Sequence, residues 1–462
     1  MSNQEPKLEG RRVNSNGHQQ VDKLPRVPER NNSFWINSRN GHQGLTHRLF
    51  RFPAKFHPPV VRWALGKYAR KGSRVLDPFT GSGTVQVEAL VRGVSSVGVD
   101  IDPLACLIAK AKCAPLDPDV LNSRLQRIEK TLYRYSTLHC AQQAQPGADI
   151  SERRFRAESE ALWIPDIPNI THWLRRYVII DLARILQTIQ RANLSSSEQL
   201  FFKACFAAAI RRVSNADPTP VSGLEVTYIQ SQRNKNRRID VFGEFLTKAR
   251  MGIRGMDELW QARKRTSGRV TARVLNGDVL NLGKILGKFD DMPLVITSPP
   301  YCQAVEYSRR HRLELYWLGL LRNHADHSTL VHSYIGRHRV RAADFKASDA
   351  TGLKQLDKLL AKIGQLDHIK GRTLQHYFEA MTCSFRQIAH VMTKNGTVVC
   401  VIGDSRCCGI RVPTTEFLVA LIDDHFSLKH RFSYALRNHY MQYGLRNGDG
   451  IKQENVLILK PK

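Results

Sequence analysis

Four consecutive residues, Ser298-Pro299-Pro300-Tyr301, carry the clearest chemistry in this 462-residue chain. A hydroxyl, a carbonyl on a rigid turn and an aromatic face suit one task, activating an exocyclic amine on a nucleobase. That nitrogen is a poor nucleophile because its lone pair is delocalised into the ring. Acceptors for both of its N–H groups, Ser298 Oγ and the Pro299 carbonyl, would push it toward tetrahedral geometry. The two prolines fix φ and remove backbone N–H groups that would compete for those acceptors, and Tyr301 offers a face on which an extruded base can stack. The same letters also fit an ordinary strand, Leu294-Val295-Ile296, ending in a Pro-Pro turn.

A second signal separates the two readings. From Arg74 to Thr84 the sequence Arg-Val-Leu-Asp-Pro-Phe-Thr-Gly-Ser-Gly-Thr runs from a β-branched strand into a glycine loop, and residues 84–93 read as an amphipathic helix. Glycines in this context let backbone approach a ligand at a helix N-terminus. Val97-Gly98-Val99-Asp100-Ile101-Asp102 then reads as a second strand ending in acid, the usual place to hold a ribose diol. The loop is not the G-x-G-x-x-G of dinucleotide binders.

The chain carries 70 Lys and Arg against 41 Asp and Glu, a net charge of +29. Residues 1–50 hold 8 basic and 4 acidic residues, so the excess lies mostly in the folded part. Clustered Lys and Arg gain affinity for a polyanion by releasing counterions from phosphates, which makes nucleic acid the natural partner. An apolar content of 42% is that of a folded globular protein, with ample length for a large α/β sheet. No run of about 18 apolar residues is present and the first residues lack the apolar core of a signal peptide, so a cytoplasmic protein with no membrane partner is expected. Nine cysteines with no C-x-x-C fit neither a disulfide scaffold nor a zinc site; no metal is expected, and Cys302 and the pair Cys407-Cys408 read as reduced, buried small hydrophobes.

These motifs need elements to position them. Residues 1–45, rich in Asn, Gln, Arg, Ser and Gly, read as a disordered basic arm. The segment from Phe52 to Pro58 leads into a helix from Pro59 to Ala69, and Pro103 to Lys112 reads as another. About 160 residues then intervene, too many for a loop. Within them 120–136, 176–194 and Leu200 to Ile210 show helical spacing. Residues 231–273, with 12 Lys or Arg against 4 Asp or Glu, read as a phosphate-tracking surface. Strands resume at Arg273 to Asp278 and Leu294 to Ser298. A helical stretch over Glu306 to Leu321, a polar lid-like region to about 370, and a helix from Gly371 to Met392 follow. The chain ends with a strand at Thr397 to Asp404, a helix from Pro413 to Phe426, and strands at Leu428 to Leu436 and Val456 to Lys460. The expected fold class is α/β, a doubly wound, Rossmann-like sheet of seven strands with a largely helical insert and ligands beyond the carboxyl ends of the strands. The expected divisions are the arm (1–45), a cofactor-binding half (46–115), the insert as candidate DNA target recognition region (116–270) and a catalytic half (271–462).

The loop Asp77-Pro78-Phe79 with Gly81 and Gly83, paired with the tetrapeptide at Ser298, resembles the motifs of amino-directed, S-adenosylmethionine-dependent DNA methyltransferases. The motif order is similar to their alpha class, with target recognition between the two motifs. The resemblance covers roughly residues 47–112 and 273–460 and leaves the insert unassigned. It implies S-adenosylmethionine as cofactor and double-stranded DNA as substrate. It would put Asp77 near the methionyl amino group, and Phe79, Gly81, Gly83 and Thr84 around the carboxylate and adenosine. Asp100 would hold the ribose hydroxyls with Asp102 in reserve, and the segment around Phe52 would cover the methionine end. Asp278 resembles the acid at the adenine amino group, although an ordinary turn residue is an equal reading. Ser298, Pro299, Pro300 and Tyr301 would be catalytic, in a direct in-line transfer to a flipped base. A C5-cytosine enzyme would instead need a thiolate presented after a proline, whereas Cys302 follows Tyr301.

Serine at the first motif position is associated within that family with cytosine-N4 enzymes and aspartate with adenine-N6 enzymes, so cytosine-N4 is expected and adenine-N6 comes next. An RNA base amine is a further alternative, although no RNP-like or KH-like segment is seen. A non-catalytic DNA-binding regulator would show decay of Asp77, the glycines or Ser298, all of which are present. A restriction-modification setting with a cognate endonuclease would suit such an enzyme; the oligomeric state is not legible.

Overall fold

The computed structural model describes residues 44–462 apart from 54, 71, 137–146, 219–222, 267–268, 288–290, 303–306, 338–339, 341–349 and 438–452, together with short strands at 12–13, 19–20 and 33–37. Seven strands form the body of the sheet: β1 (Arg74–Asp77), β2 (Ser95–Asp100), β3 (Ala272–Asn276), β4 (Met292–Thr297), β5 (Met392–Gly403), β6 (Phe426–Arg437) and β7 (Gln453–Pro461). Their order is β3-β2-β1-β4-β5-β7-β6, parallel except for β7, which runs antiparallel to both neighbours. The doubly wound, seven-stranded expectation is met.

Burial explains why the central strands read as unbroken apolar runs. Alternate residues of a strand face opposite sides of a sheet. Leu76 and Val295 join the hydrophobic core on one face, while Val75, Leu294 and Ile296 join the core on the other. Both faces are covered, as in parallel sheets generally, so no position on β1 or β4 needs to be polar until the strand ends. Strand order reverses between β1 and β4, which pair through Val75 with Leu294 and Leu76 with Val295. This switch point brings the two motif loops out side by side.

Helices α1 (Pro58–Tyr68), α2 (Thr84–Val91) and α3 (Pro103–Cys113) follow the expected places. Helix α2 is not amphipathic, because every residue from Thr84 to Leu90 is buried. Its polar members find partners inside: Gln86 Oε1 accepts from Thr80 Oγ1 at 2.6 Å, although its Nε2 has none, and Glu88 meets His47 at 2.9 Å and Arg62 at 3.0 Å. The covering layer comes from residues 44–57 and from the insert, which no local pattern announces.

The insert is helical, with α4 (Pro118–Ser136), α5 (Arg176–Arg191), α6 (Ser196–Val213), α7 (Tyr228–Lys235) and α8 (Val241–Lys264). A free-standing domain needs its own core. Here Phe201, Phe206 and Phe245 share one buried cluster with Leu90 of α2, Ile108 of α3 and Trp317 from the catalytic half, so the insert is continuous with the sheet's outer layer. Several cations of 231–273 are committed within the protein: Arg250 pairs with Glu129, Lys248 with Glu244, and Arg237 donates to the Ser214 carbonyl.

Other elements depart from expectation. The stretch 306–321 is two short helices, Tyr307–Arg310 and Arg312–Trp317, broken at His311. The lid-like region contains helices His324–Ser333 and Lys354–Leu366 before α9 (His368–His390). In the N-terminal arm, Ser33–Asn37 pairs in parallel with β6; most of the rest of that arm lies outside the described residues. No helix among the described residues is long and apolar enough to cross a membrane.

Candidate active site

The two motif loops enclose one cleft of about 420 Å³ beyond the carboxyl ends of β1 and β4. Phe79, Gly81 and Thr84 line it from the first loop, and Ser298, Pro299, Pro300 and Tyr301 from the second. Asp100, Asp102 and Asp278 reach the same space.

Asp77 and Gly83 do not line it; they shape it from behind. The Asp77 carboxylate accepts the Thr297 hydroxyl at 2.7 Å and the Phe79 N–H at 3.2 Å, clasping the ends of β1 and β4 just before each motif departs. Burial pushes its pKa up to about 7. Gly83 has φ 81°, and a Cβ there would lie 2.8 Å from Ala109 Cβ, so only glycine lets α3 pack against the first turn of α2.

The three remaining acids are held by backbone. Asp100 accepts the Gly81 N–H at 2.7 Å and the Asp102 N–H at 2.9 Å, one on each oxygen, which leaves each a further lone pair. Burial, then the charge of Asp102, raises it to about 7. Asp102 caps α3 by accepting from the Leu104 and Ala105 N–H groups, and burial raises its pKa as well. Asp278 caps a 3-10 turn through the Leu280 N–H at 3.0 Å, as a turn residue does, and it also lines the cleft.

The tetrapeptide is braced by residues that the motif does not contain. The Tyr301 hydroxyl donates to Glu454 Oε1 at 2.8 Å, and the Tyr434 hydroxyl donates to the other oxygen of the same carboxylate. Burial, followed by the Glu454 charge, pushes the Tyr301 hydroxyl well above its ordinary range, against a hydrogen bond from Ser298. Tyr377 donates to the Pro300 carbonyl at 3.1 Å. Gly336, at φ 83°, packs so closely that a Cβ would sit 2.8 Å from the Tyr301 carbonyl oxygen.

Sequence reading missed Glu454, Tyr307 and Lys55. Glu454 had a signal, an acid opening an otherwise apolar terminal strand. Tyr307 and His311 both stack on Phe52, at 5.3 Å and 5.2 Å, and Phe52 and Tyr307 line the cleft. Lys55 lines the cleft and donates to the His47 carbonyl at 3.1 Å; burial pulls its pKa down to about 8.

Known proteins bear on this cleft. A family model described as DNA methylase, for N6 and N4 methyltransferases, matches residues 3–111. The Type II methyltransferase M.MvaI of Kocuria varians is 25% identical over 316 residues, covering 67% of this chain and 65% of that protein. The Type II methyltransferase M.BsoBI of Geobacillus stearothermophilus is 26% identical over 289 residues, covering 61% of this chain and 54% of that one. The matches therefore span somewhat less than two thirds of each relative's length. Among solved structures, the rRNA methyltransferase aviRa from Streptomyces viridochromogenes aligns over 92% of this chain and 93% of its own, at 11% identity and a TM-score of 0.33.

Proposed function

We propose that the chain is an amino-directed DNA methyltransferase that transfers a methyl group from S-adenosylmethionine to the N4 amine of cytosine in double-stranded DNA. The observation that carries this reading is the single cleft shared by the glycine loop and the Ser298 tetrapeptide. Serine rather than aspartate at position 298 favours cytosine over adenine. Site-specific methylation in a restriction-modification or related system agrees with the names of the Type II relatives, and a cognate endonuclease and a cytoplasmic location are part of the proposal.

The residues present fit the cofactor. Asp100 keeps acceptor lone pairs for a ribose diol, Asp278 offers a carboxylate for an amino group, Phe79 an apolar surface, and Lys55 a cation for a carboxylate. When bound, S-adenosylmethionine supplies a methyl group made electrophilic by its sulfonium. The protein's task is then to present the amine. Ser298 Oγ and the Pro299 carbonyl accept its two hydrogens and localise its lone pair, Tyr301 holds the ring by stacking, and the enclosed cleft excludes water.

Sequencing of DNA from cells expressing the protein, by a method that distinguishes N4-methylcytosine from N6-methyladenine, tests the proposal. N4-methylcytosine at one short motif is expected. N6-methyladenine there would move the target to adenine, and methyl incorporation into RNA alone would reject DNA.

Cofactor affinity should peak between about pH 7 and pH 8. Asp100 titrates near 7, and only its ionised form accepts two ribose hydroxyls, so affinity falls below that pH. Lys55 titrates near 8, and only its protonated form attracts a carboxylate, so affinity falls above it. Calorimetry across pH checks this, and Lys55→Met should remove the alkaline limb alone.

DNA affinity should fall steeply with salt, by roughly a thousandfold or more between 50 and 200 mM if at least six phosphates are neutralised. A near-flat dependence in filter binding would contradict a +29 chain gripping a polyanion.

A further inference from the structure

Two apolar side chains stand in water just after Glu225, which pairs with the cleft-lining Arg309. Tyr228 is 78% exposed and Ile229 64%, the two most exposed large hydrophobic residues among those described. They open helix α7, whose cap Thr227 accepts the Gln230 N–H at 3.2 Å and donates to Asp217 Oδ2 at 3.2 Å. The chain just before them is fastened to the cleft. Glu225 pairs with Arg309, a lining residue, at 2.5 Å. The buried Arg211 guanidinium donates to the carbonyls of Asp217, Gly223 and Arg310, stitching this segment to the start of the catalytic half. The far end of α7 is fastened too: Arg175 donates to the carbonyls of Asn234 and Arg237, and Asn234 donates to the Asn215 carbonyl.

Three residue steps lead from Glu225 to Tyr228, a reach of about 10 Å at most. The pair therefore follows closely on a residue tied to the lining of the site, and the exposed cations Arg233, Lys235 and Arg238 come next in sequence. Exposed apolar residues anchored this firmly and followed by cations match a nucleic-acid duplex in charge, and its base stack in polarity.

Resting on the proposed DNA methylation, we propose that Tyr228 and Ile229 form a wedge that enters the duplex where the target nucleotide leaves it. Extruding a base forfeits its stacking on both neighbours; an apolar side chain in the gap recovers part of that loss and keeps the base from returning. Because the wedge acts on extrusion and not on phosphates, it should govern transfer more than charge-driven binding.

The test uses the full chain, tritiated S-adenosylmethionine and unmethylated plasmid DNA. The doubly substituted Tyr228→Ser, Ile229→Ser protein should transfer at least tenfold more slowly, with cofactor affinity and the salt slope of DNA binding unchanged. Tyr228→Phe with Ile229→Leu, which keeps the apolar volume, should retain the rate within about threefold. Undiminished transfer by the serine variant would overturn the wedge and make this surface a site for a protein partner or a second copy. A loss that follows weakened cofactor binding, or that the conservative pair shares, would overturn it equally. If the unaltered protein methylates no DNA, it is the proposed function that fails.

Discussion

Ser298→Ala is expected to slow methyl transfer by roughly 100- to 1,000-fold, the usual cost of removing one hydrogen-bonding group that acts on the transition state. Cofactor affinity should stay within about twofold. The asymmetry follows from what the hydroxyl does. Its lone pair accepts an amine hydrogen as nitrogen rehybridises, an interaction that strengthens only while the new bond forms, so its loss appears in kcat. The cofactor-side groups, Asp100 and the loop carrying Gly81, hang from β1 and β2 and do not depend on Ser298. Single-turnover transfer to plasmid DNA, with cofactor binding measured by calorimetry, checks both halves. Retention of the wild-type rate would remove Ser298 from the catalytic machinery.

Glu454→Ala should be the second most damaging substitution, lowering kcat by about 10- to 100-fold although Glu454 belongs to neither motif. Its carboxylate accepts the hydroxyls of Tyr301 and Tyr434 and so sets the plane of the ring proposed to stack on the base. Alanine leaves two buried hydroxyls without that partner, at roughly 1–3 kcal/mol each in stability, and lets Tyr301 rotate. Burial raises the pKa of Glu454, against the hydrogen bonds from both tyrosines. A neutral acceptor can therefore replace it in part. Glu454→Gln should restore most of the rate, whereas a merely structural role would show equal loss in melting temperature and no difference between the variants in kcat once both are folded.

The two motif loops were legible because their determinants act locally. A diproline fixes φ, a glycine permits a positive φ, and an acid after an apolar run marks a strand end, each within a few residues of itself. The seven strands and three of the helices of the insert followed from apolar spacing for the same reason. Misreadings occurred where a distant segment changed what was buried. Helix α2 seemed to have an outer face until the insert and residues 44–57 covered it, and 306–321 seemed one helix although its packing breaks it at His311. Within the basic run 231–273, read as a phosphate-tracking surface, Arg237, Lys248 and Arg250 have partners in the chain itself.

By itself the sequence determined the two motif loops, the order in which they occur and the strands that carry them. Only the tertiary structure decided that β1 and β4 are neighbours, that Asp77 clasps Thr297 instead of facing the cleft, and that Glu454, 153 residues beyond Tyr301, governs its ring. The reason lies in the range of the forces. Backbone sterics and apolar periodicity are written into adjacent residues, whereas pairing across a sheet depends on which strand order buries the most surface with right-handed crossovers, and that is a property of the whole chain.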